Sequence, residues 1–273
     1  MPVLTFKTSE ECRLELVAHT NMVKQVLAEG DIMTLVTTPK ANMLPVSAAR
    51  ASFGKEDKTG KDTAADLKLM KFLADAGHTS VFEHQSATFL IECPMFVRSQ
   101  IHRHRTFAYN EISRRYTAEQ IEFWIPTQVR GQAKSNKQAS DGIITGIYPG
   151  LEDPVKRAEY EAYFNGVPVP PTDPVSLFKI TAEAANGWYN DLLAGGVSRE
   201  QARAVLPQSL LTRFYMTGNL RNWIHFIKLR TDPHAQREVQ IVAERIRDEL
   251  FKLWPEAMEV LIGKEEGSKT EEA

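Results

Sequence analysis

The sequence contains little cysteine and none of the common nucleotide-binding or hydrolase motifs. Its two cysteines, Cys12 and Cys93, form no CxxC pair, which argues against a disulfide scaffold and favours a reduced, cytoplasmic protein. No GxGxxG or GxxxxGK(S/T) occurs, so neither a Rossmann site nor a P-loop is indicated. The absence of GxSxG and HExxH argues against two familiar hydrolase sites.

An excess of positive charge and long apolar runs are also missing. The 273 residues include 33 Lys and Arg against 35 Asp and Glu, a net charge of −2. A surface that is basic throughout is therefore excluded, and any anion site must be local. No run approaches the roughly 20 apolar residues that span a membrane. The first residues turn polar too early for a signal peptide. We expect a soluble cytoplasmic protein, and 42% hydrophobic residues suffice for a core.

Hydrophobic spacing and turn residues predict a mixture of strands and helices. Gly77 is expected to end one helix, Pro94 to stand at N1 of another, and Ser198 to form a capping box with Gln201. Asp232 is expected to cap the last helix. Strands are predicted at 2–7, 32–38, 86–93 and 209–218. Helices are predicted from Ser9 onward and at 62–76, 95–102, 154–164, 175–193, 198–206, 219–230 and 232–255.

One segment differs in composition from the rest. Residues 126–173 are rich in Gly, Pro, Ser and Asn and predict a long surface excursion with one short helix. Neither side of it carries a complete set of elements, so we expect a single domain over residues 1–263. The charged tail 264–273 is expected to be disordered.

The stretch 103–116, RHRTFAYNEISRRY, holds four arginines and no lysine. Arginine offers a planar fork that binds phosphate or carboxylate bidentately, whereas lysine is a mobile point charge. Three interpretations remain open from the residues alone. The arginines pair with carboxylates on a solvated face, contact nucleic acid with Tyr109 and Tyr116 stacking on bases, or hold a small phosphorylated ligand. The acidic overall charge disfavours nucleic acid.

Two further segments allow both a functional and a structural interpretation. The helix 219–230 mixes Arg221, Arg230 and His225 with apolar residues, as helices at subunit contacts also do. The segment 78–84, HTSVFEH, is compatible with a helix end supported by Ser80 and Glu83.

A metal site is not expected. The run HRHR (102–105) places arginines beside both histidines, where their charge opposes a dication. We expect His102 to be structural.

The motif Arg103-His104-Arg105, followed by seven residues and Ser113, resembles the signature of the flavin-dependent thymidylate synthases. Its extended form includes an Asn-Glu-x-Ser-x-Arg-Tyr run, which 110–116 match. Further matching blocks occur in the same order along the chain, at 48–55, 77–84, 133–140, 202–207 and 219–238.

The resemblance implies an α+β fold with a central mixed or antiparallel sheet, long helices and a homotetramer whose sites are shared between subunits. It implies reductive methylation of dUMP to dTMP in thymidylate biosynthesis. Methylenetetrahydrofolate would supply the carbon and FAD the hydride, with NADPH reducing the flavin. No nucleic-acid polymer or membrane partner is implied.

The resemblance also implies site residues. Arg230 would face the uracil and favour its N3-ionised form, which makes C5 a better nucleophile. Residues 103–105 would face mainly the flavin and 111–115 mainly the nucleotide. The implied dUMP contacts are Gln100, Arg103, Glu111, Ser113, Arg115, Arg203 and Arg230. The implied FAD contacts are Ser52, His78, Ser80, Glu83, Arg103, His104, Arg105, Glu111, Asn219, Arg221, His225 and His234.

Two positions depart from the family pattern. Ala108 replaces a frequent serine, which puts one hydroxyl contact near the flavin in question. His225 replaces a frequent asparagine, and both side chains can hydrogen-bond a flavin carbonyl.

Overall fold

The computed structural model describes residues 4–19, 23–26, 34–37, 43–55, 58–119, 121–134, 140–146, 153–163 and 173–263. The strands are β1 Thr5–Lys7, β2 Leu14–His19, β3 Val23–Val26, β4 Thr34–Thr37, β5 Ser86–Pro94, β6 Ala108–Glu111, β7 Glu122–Trp124, β8 Arg130–Gln132, β9 Ser140–Ile143 and β10 Leu211–Asn219. The helices are α1 Leu44–Ala51, α2 Thr63–Asp75, α3 Met95–Ile101, α4 Pro154–Tyr163, α5 Pro174–Ala194, α6 Arg199–Ala202, α7 Leu220–Arg230, α8 Arg237–Leu253 and α9 Pro255–Ile262. Within the described residues, 3₁₀ helices cover Thr79–Glu83 and Arg203–Val205.

A four-stranded antiparallel sheet, ordered β2-β5-β10-β6, forms the centre of the protein. β5 and β10 pair along their whole lengths, from Pro94 opposite Leu211 to Ser86 opposite Asn219. β1 and β7 form a separate parallel pair. The predicted α+β class with an antiparallel sheet is therefore confirmed.

The core lies where α7, α8 and α9 pack against this sheet. Trp223 of α7 and Trp254 after α8 are fully buried, and Trp223 meets Phe89 of β5 edge-to-face at 5.1 Å. Buried apolar residues of α8 recur three or four positions apart, as an amphipathic helix requires. The C-terminal helices thereby fix β10, whose two ends adjoin the candidate site.

Several predicted elements are confirmed. Asp62 caps α2 by accepting a hydrogen bond from the Ala65 amide at 3.0 Å, and Gly77 follows with φ +71°. The strands at 86–93 and 209–218 and the helices at 95–102, 154–164, 175–193 and 219–230 are also found, with ends shifted by a few residues.

The helix predicted from Ser9 is wrong, because Leu14–His19 is strand β2. Ser9 does not cap a helix; its hydroxyl accepts a hydrogen bond from the buried Trp124 indole at 2.8 Å. Leu14 and Leu16 alternate with Glu15, a period of two that suits pairing with β5.

The last helix begins later than predicted, at Arg237, with Gln236 at its N-cap. Asp232 instead closes a turn around Pro233 by accepting from the His234 amide at 2.7 Å. The predicted helix also ends early, since Trp254 interrupts it and Pro255 begins α9.

Two capping predictions also need correction. Ser198 lies at the N-cap of α6, but its side chain makes no capping hydrogen bond, so the predicted box with Gln201 does not form. Pro94 lies at the N-cap of α3 rather than at N1.

The excursion 126–173 contains the predicted helix, α4, and a β8–β9 hairpin that the sequence did not predict. Part of the matching block 133–140 and the tail 264–273 lie outside the described residues. The single domain over 1–263 stays a prediction.

Candidate active site

The Arg103-His104-Arg105 motif alternates between solvent and core. It follows α3 and its C-cap residue His102, and the turn that leads into β6 exposes both arginines while His104 is only 6% exposed. The His104 ring packs against Phe226 with centroids 4.9 Å apart and lies 5.8 Å from His225. Within the described part of the chain neither arginine forms a salt bridge. Their charge therefore remains available to an anion.

His104 is held in its neutral form. Burial lowers its pKa to about 4, and the charges of Arg230 and His225 contribute further. Its Nε2 atom accepts a hydrogen bond from Arg230 Nε at 3.0 Å, which places the imidazole proton on Nδ1. A neutral histidine here adds no positive charge beside the guanidinium.

Arg230, the last residue of α7, has only uncharged partners among the described residues. Besides His104, its Nη2 donates to the Gln100 carbonyl at 3.0 Å. Burial and the charge of Arg103 lower its pKa, yet a guanidinium stays protonated. A partly buried cation without a carboxylate is a favourable position for an anionic ligand.

On the other side of α3, Glu111 lines a cleft of about 640 Å³. Arg98 Nε lies 3.1 and 3.0 Å from the two Glu111 carboxylate oxygens, and Arg98 Nη2 adds a contact of 2.5 Å. The Thr212 hydroxyl donates to Glu111 at 2.7 Å. Ser113 and Arg203 line the same cleft.

Two cationic groups beside this cleft have weak protein partners. Arg115 lies 3.8 Å from Glu200, and both side chains are exposed. Arg203 donates to the backbone carbonyl of Glu200 at 3.3 Å and has no carboxylate partner among the described residues. The Ser113 hydroxyl accepts from the Arg115 amide at 3.3 Å.

The predicted dUMP residues thus fall into two groups within one chain. Positions two residues apart on an α-helix differ by about 200°, so Arg98 and Gln100 point to nearly opposite sides of α3. Arg98 contacts Glu111, whereas Gln100 contacts Gln236. We call these groups the cleft group (Glu111, Ser113, Arg115 and Arg203) and the α7-end group (Gln100, Arg103 and Arg230).

A third group surrounds the start of α7. Arg221 forms an ion pair with Glu83 at the end of the first 3₁₀ helix. Asn219 caps α7 by accepting from the Asn222 amide at 3.0 Å, and the Asn222 side chain donates to the Thr106 carbonyl. Thr106 follows Arg105 directly, so these contacts place the arginine motif beside the helix start.

Other predicted flavin contacts are distributed around this group. Ser52 lies at the C-cap of α1, which packs against the 3₁₀ helix that contains Ser80. His78 precedes that helix. His234 is exposed, and its ring lies 3.0 Å from Asp232.

Several residues of these networks were not predicted. Arg98 and Thr212 hold Glu111, and Gln236 contacts Gln100. Arg98 offers no sequence signal, because it lies on α3 and meets Glu111, 13 positions later on β6, only through the tertiary fold. Arg114, which the sequence grouped with the binding arginines, is buried and donates to the Glu119 carbonyl at 2.5 Å.

The remaining titratable candidates have structural environments. Burial raises the pKa of the Cys12 thiol to about 12 and that of Cys93 well above its usual value, so neither supplies a thiolate. His102 packs against Tyr109 and Phe214 with centroids 4.1 and 4.9 Å away, which supports its structural role.

The described residues contain no cluster of three or more His, Cys, Asp or Glu side chains suited to a metal ion. None of their helices is both long and apolar enough to cross a bilayer.

Comparisons with known proteins agree along most of the chain. The family described as "Thymidylate synthase complementing protein" (Thy1) matches residues 34–256. A flavin-dependent thymidylate synthase of Thermus thermophilus is 37% identical over 213 residues, 77% of this chain and 68% of the relative. One from Thermosipho africanus is 35% identical over 231 residues, 85% and 90% of the two chains.

A solved structure shares the fold. The UMP/dUMP methylase PolB from Streptomyces cacaoi, bound with 5-Br dUMP, superposes with a TM-score of 0.68 at 27% identity. The match covers 94% of this chain and 96% of PolB.

Proposed function

The chain belongs to the family of flavin-dependent thymidylate synthases, and we propose that it methylates dUMP to dTMP with methylenetetrahydrofolate as carbon donor, FAD as the flavin and NADPH as its reductant. The observation that carries the proposal is Arg230. It is a partly buried guanidinium at the signature motif whose described partners, His104 and the Gln100 carbonyl, are both neutral.

Arg230 suits a uracil that must become nucleophilic at C5. Loss of the N3 proton leaves negative charge on the ring, and a fixed guanidinium stabilises that charge without reorganising. The neutral His104 strengthens this effect, because it orients the guanidinium through an acceptor and leaves the full positive charge for the ligand. We assign Arg230 the catalytic role and Gln100 and Arg103 supporting contacts to dUMP.

The cleft group suits the sugar and phosphate of dUMP. Arg98 and Thr212 hold the Glu111 carboxylate in place, so that it can accept from a ribose hydroxyl. Arg115 and Arg203 have weak protein partners and can bind phosphate. Ser113 orients the ligand and is not a nucleophile.

The residues around the α7 start fit FAD by their chemistry. The exposed Arg103 and Arg105 carry no salt bridge among the described residues, and Arg221 adds a third cation, so a pyrophosphate has donors of suitable charge. We assign Ser52, His78, Ser80, Glu83, His104, Asn219, His225 and His234 to the same cofactor, with Glu111 between the two ligands. The flavin supplies the hydride chemistry, so that no protein nucleophile is required.

A homotetramer with shared sites accounts for the division into two groups. The cleft group and the α7-end group lie on opposite sides of α3, so a second chain in the tetramer can complete a site that uses both. Exposed apolar side chains on α5 support association: Phe178, Ile180 and Trp188 are 37%, 45% and 61% exposed.

The test is reconstitution. Purified protein should show flavin absorbance, directly or after FAD is added, and NADPH should bleach it without oxygen. Addition of dUMP with methylenetetrahydrofolate should then yield dTMP, and omission of either should yield none. A protein that binds dUMP or RNA but takes up no flavin contradicts the proposal and favours a nucleotide-binding module.

A further inference from the structure

A row of side chains connects the β8–β9 hairpin to the candidate site. Arg130 of β8 donates to one Glu238 carboxylate oxygen at 2.6 Å, and Gln236 Nε2 donates to the other at 2.8 Å. Gln236 Oε1 in turn accepts from Gln100 Nε2. Glu238 is buried, at 8% exposure, while Arg130 and the two glutamines are half-buried. We call this row the amide relay.

The relay fixes the direction in which each amide points. The Glu238 carboxylate pairs with Arg130 and offers only acceptor oxygens, so Gln236 turns its NH₂ group towards it. Its carbonyl oxygen then faces Gln100 and requires a donor, which Gln100 supplies with its own NH₂ group. The side-chain oxygen of Gln100, Oε1, is left without a donor among the described residues.

Gln236 is committed to this row rather than to its helix. It occupies the N-cap of α8, where a side chain often caps the helix, yet it makes no capping bond. The backbone of Gln100 is held as well, because its main-chain carbonyl accepts a hydrogen bond from Arg230 Nη2. The relay and the catalytic guanidinium therefore meet at one residue.

We propose that Arg130, Glu238 and Gln236 are positioning residues that turn the side-chain oxygen of Gln100, Oε1, towards bound dUMP. Gln100 Oε1 then accepts a hydrogen bond from a donor group of the nucleotide. The inference rests on the proposed function, because dUMP is the ligand. It also gives the hairpin of the 126–173 excursion a role in substrate binding. An amide turned the other way would place an NH₂ group against the nucleotide's donor and lose that hydrogen bond.

The experiment first releases the direction in which the Gln236 and Gln100 amides point and then restores it for Gln100. In Glu238→Gln the acceptor-only group is lost while size is kept, and both glutamines can turn over. Adding Gln236→Glu puts an acceptor-only carboxylate directly beside Gln100, which restores its direction. We expect Glu238→Gln to raise the Kd of dUMP on the flavin-loaded enzyme about tenfold, and the double variant to return it to within about threefold of wild type.

Controls separate positioning from stability. Glu122→Gln makes the same change at the Lys7 ion pair of the β1–β7 strands and should leave the Kd of dUMP unchanged. If Glu238→Gln does not fold, Arg130→Gln tests the same relay from the half-buried hairpin end, with an expected rise in Kd of about threefold. In Glu238→Gln and Arg130→Gln the KM of dUMP should rise with its Kd, while kcat at saturating dUMP changes by less than about twofold.

Different results overturn the relay and the proposed function. A double variant that binds dUMP no better than Glu238→Gln shows a merely structural role and overturns the relay, as does unchanged binding by Glu238→Gln or Arg130→Gln. A folded wild-type protein that binds no dUMP overturns the proposed function and the relay with it.

Discussion

Arg230 carries a full positive charge, whereas its described protein partners are neutral. Removal of the Arg230 side chain should therefore affect the reaction more than folding. Arg230→Ala is expected to retain flavin and to lose dTMP formation by roughly 10²- to 10³-fold, the usual effect of removing a group that stabilises developing charge. The measurements are flavin absorbance and single-turnover dTMP yield.

Arg247→Ala is the matched control. Its guanidinium lies on α8 and pairs with the adjacent Asp248 at 2.8 Å. We expect nearly wild-type activity there. Full activity in Arg230→Ala would show that the catalytic charge lies elsewhere.

His104 makes the stability of the protein depend on pH in a defined window. The unfolded ring titrates near 6.5, whereas burial lowers the folded pKa to about 4. Above pH 6.5 the ring is neutral in both states and contributes nothing. As pH falls from about 6.5 to 4, only the unfolded state gains the proton, so the free energy of unfolding drops by at most about 3 kcal/mol.

Urea unfolding at pH 7.5 and pH 5 checks this, with His104→Gln as the comparison. Glutamine keeps an acceptor for Arg230 but does not titrate. The drop in unfolding free energy between the two pH values should be smaller in the variant. Equal drops would show that other groups cause the acid sensitivity.

At the level of single residues, the sequence predicted identities better than partnerships. Arg103, His104 and Arg105 were recognisable from the motif, but only the fold shows that the histidine is buried and the arginines exposed. Likewise Glu111 was predicted as a ligand contact, whereas its bond to Thr212 depends on β10 lying beside β6. Such pairs are set by tertiary register, which local spacing does not encode.

Among the elements, those with strong periodicity and definite end signals were predicted. Helix α2 has Asp62 and Gly77 at its ends, and β5 is a short apolar run closed by Pro94. The errors fall where tertiary contacts override local patterns. β2 is ambiguous until it pairs with β5, and the polar strands β8 and β9 carry no apolar alternation.

Strand β10 requires glycine at Gly218 because Phe107 packs against it. A Cβ there would lie under 3.0 Å from two ring carbons of Phe107, which itself contacts Trp223 at 4.6 Å between centroids. Gly218→Ala should therefore destabilise the protein by about 1–3 kcal/mol through overpacking.

Gly187→Ala in α5 is the control, because a Cβ there meets nothing within 4 Å. Alanine should stabilise that helix by up to about 1 kcal/mol. Thermal and urea unfolding of both variants measure the contrast. A Gly218→Ala protein as stable as wild type would mean that Phe107 moves aside at no cost.

At the scale of the whole molecule, α3 divides the predicted dUMP contacts. A complete site therefore requires either a rearrangement within one chain or a second chain. The proposed homotetramer provides the second chain, and light scattering should give about four times the 30.8 kDa of one chain.

Complementation between two inactive variants distinguishes these possibilities. Arg203→Ala damages the cleft group and Arg230→Ala the α7-end group, and each homo-oligomer should be nearly inactive. If each site combines the cleft group of one chain with the α7-end group of another, co-expression assembles some sites from two intact halves. Random assortment then gives about a quarter of the wild-type number of intact sites.

Sites contained within one chain would give a different result. Every site in the mixture would then carry one of the two substitutions, so co-expression would restore no dTMP formation. Mixing the two purified homo-oligomers without dissociation is the control, and it should remain inactive in either case. Recovery near one quarter in the co-expressed sample alone identifies the shared site, because only exchange of chains during assembly brings an intact Arg203 and an intact Arg230 together.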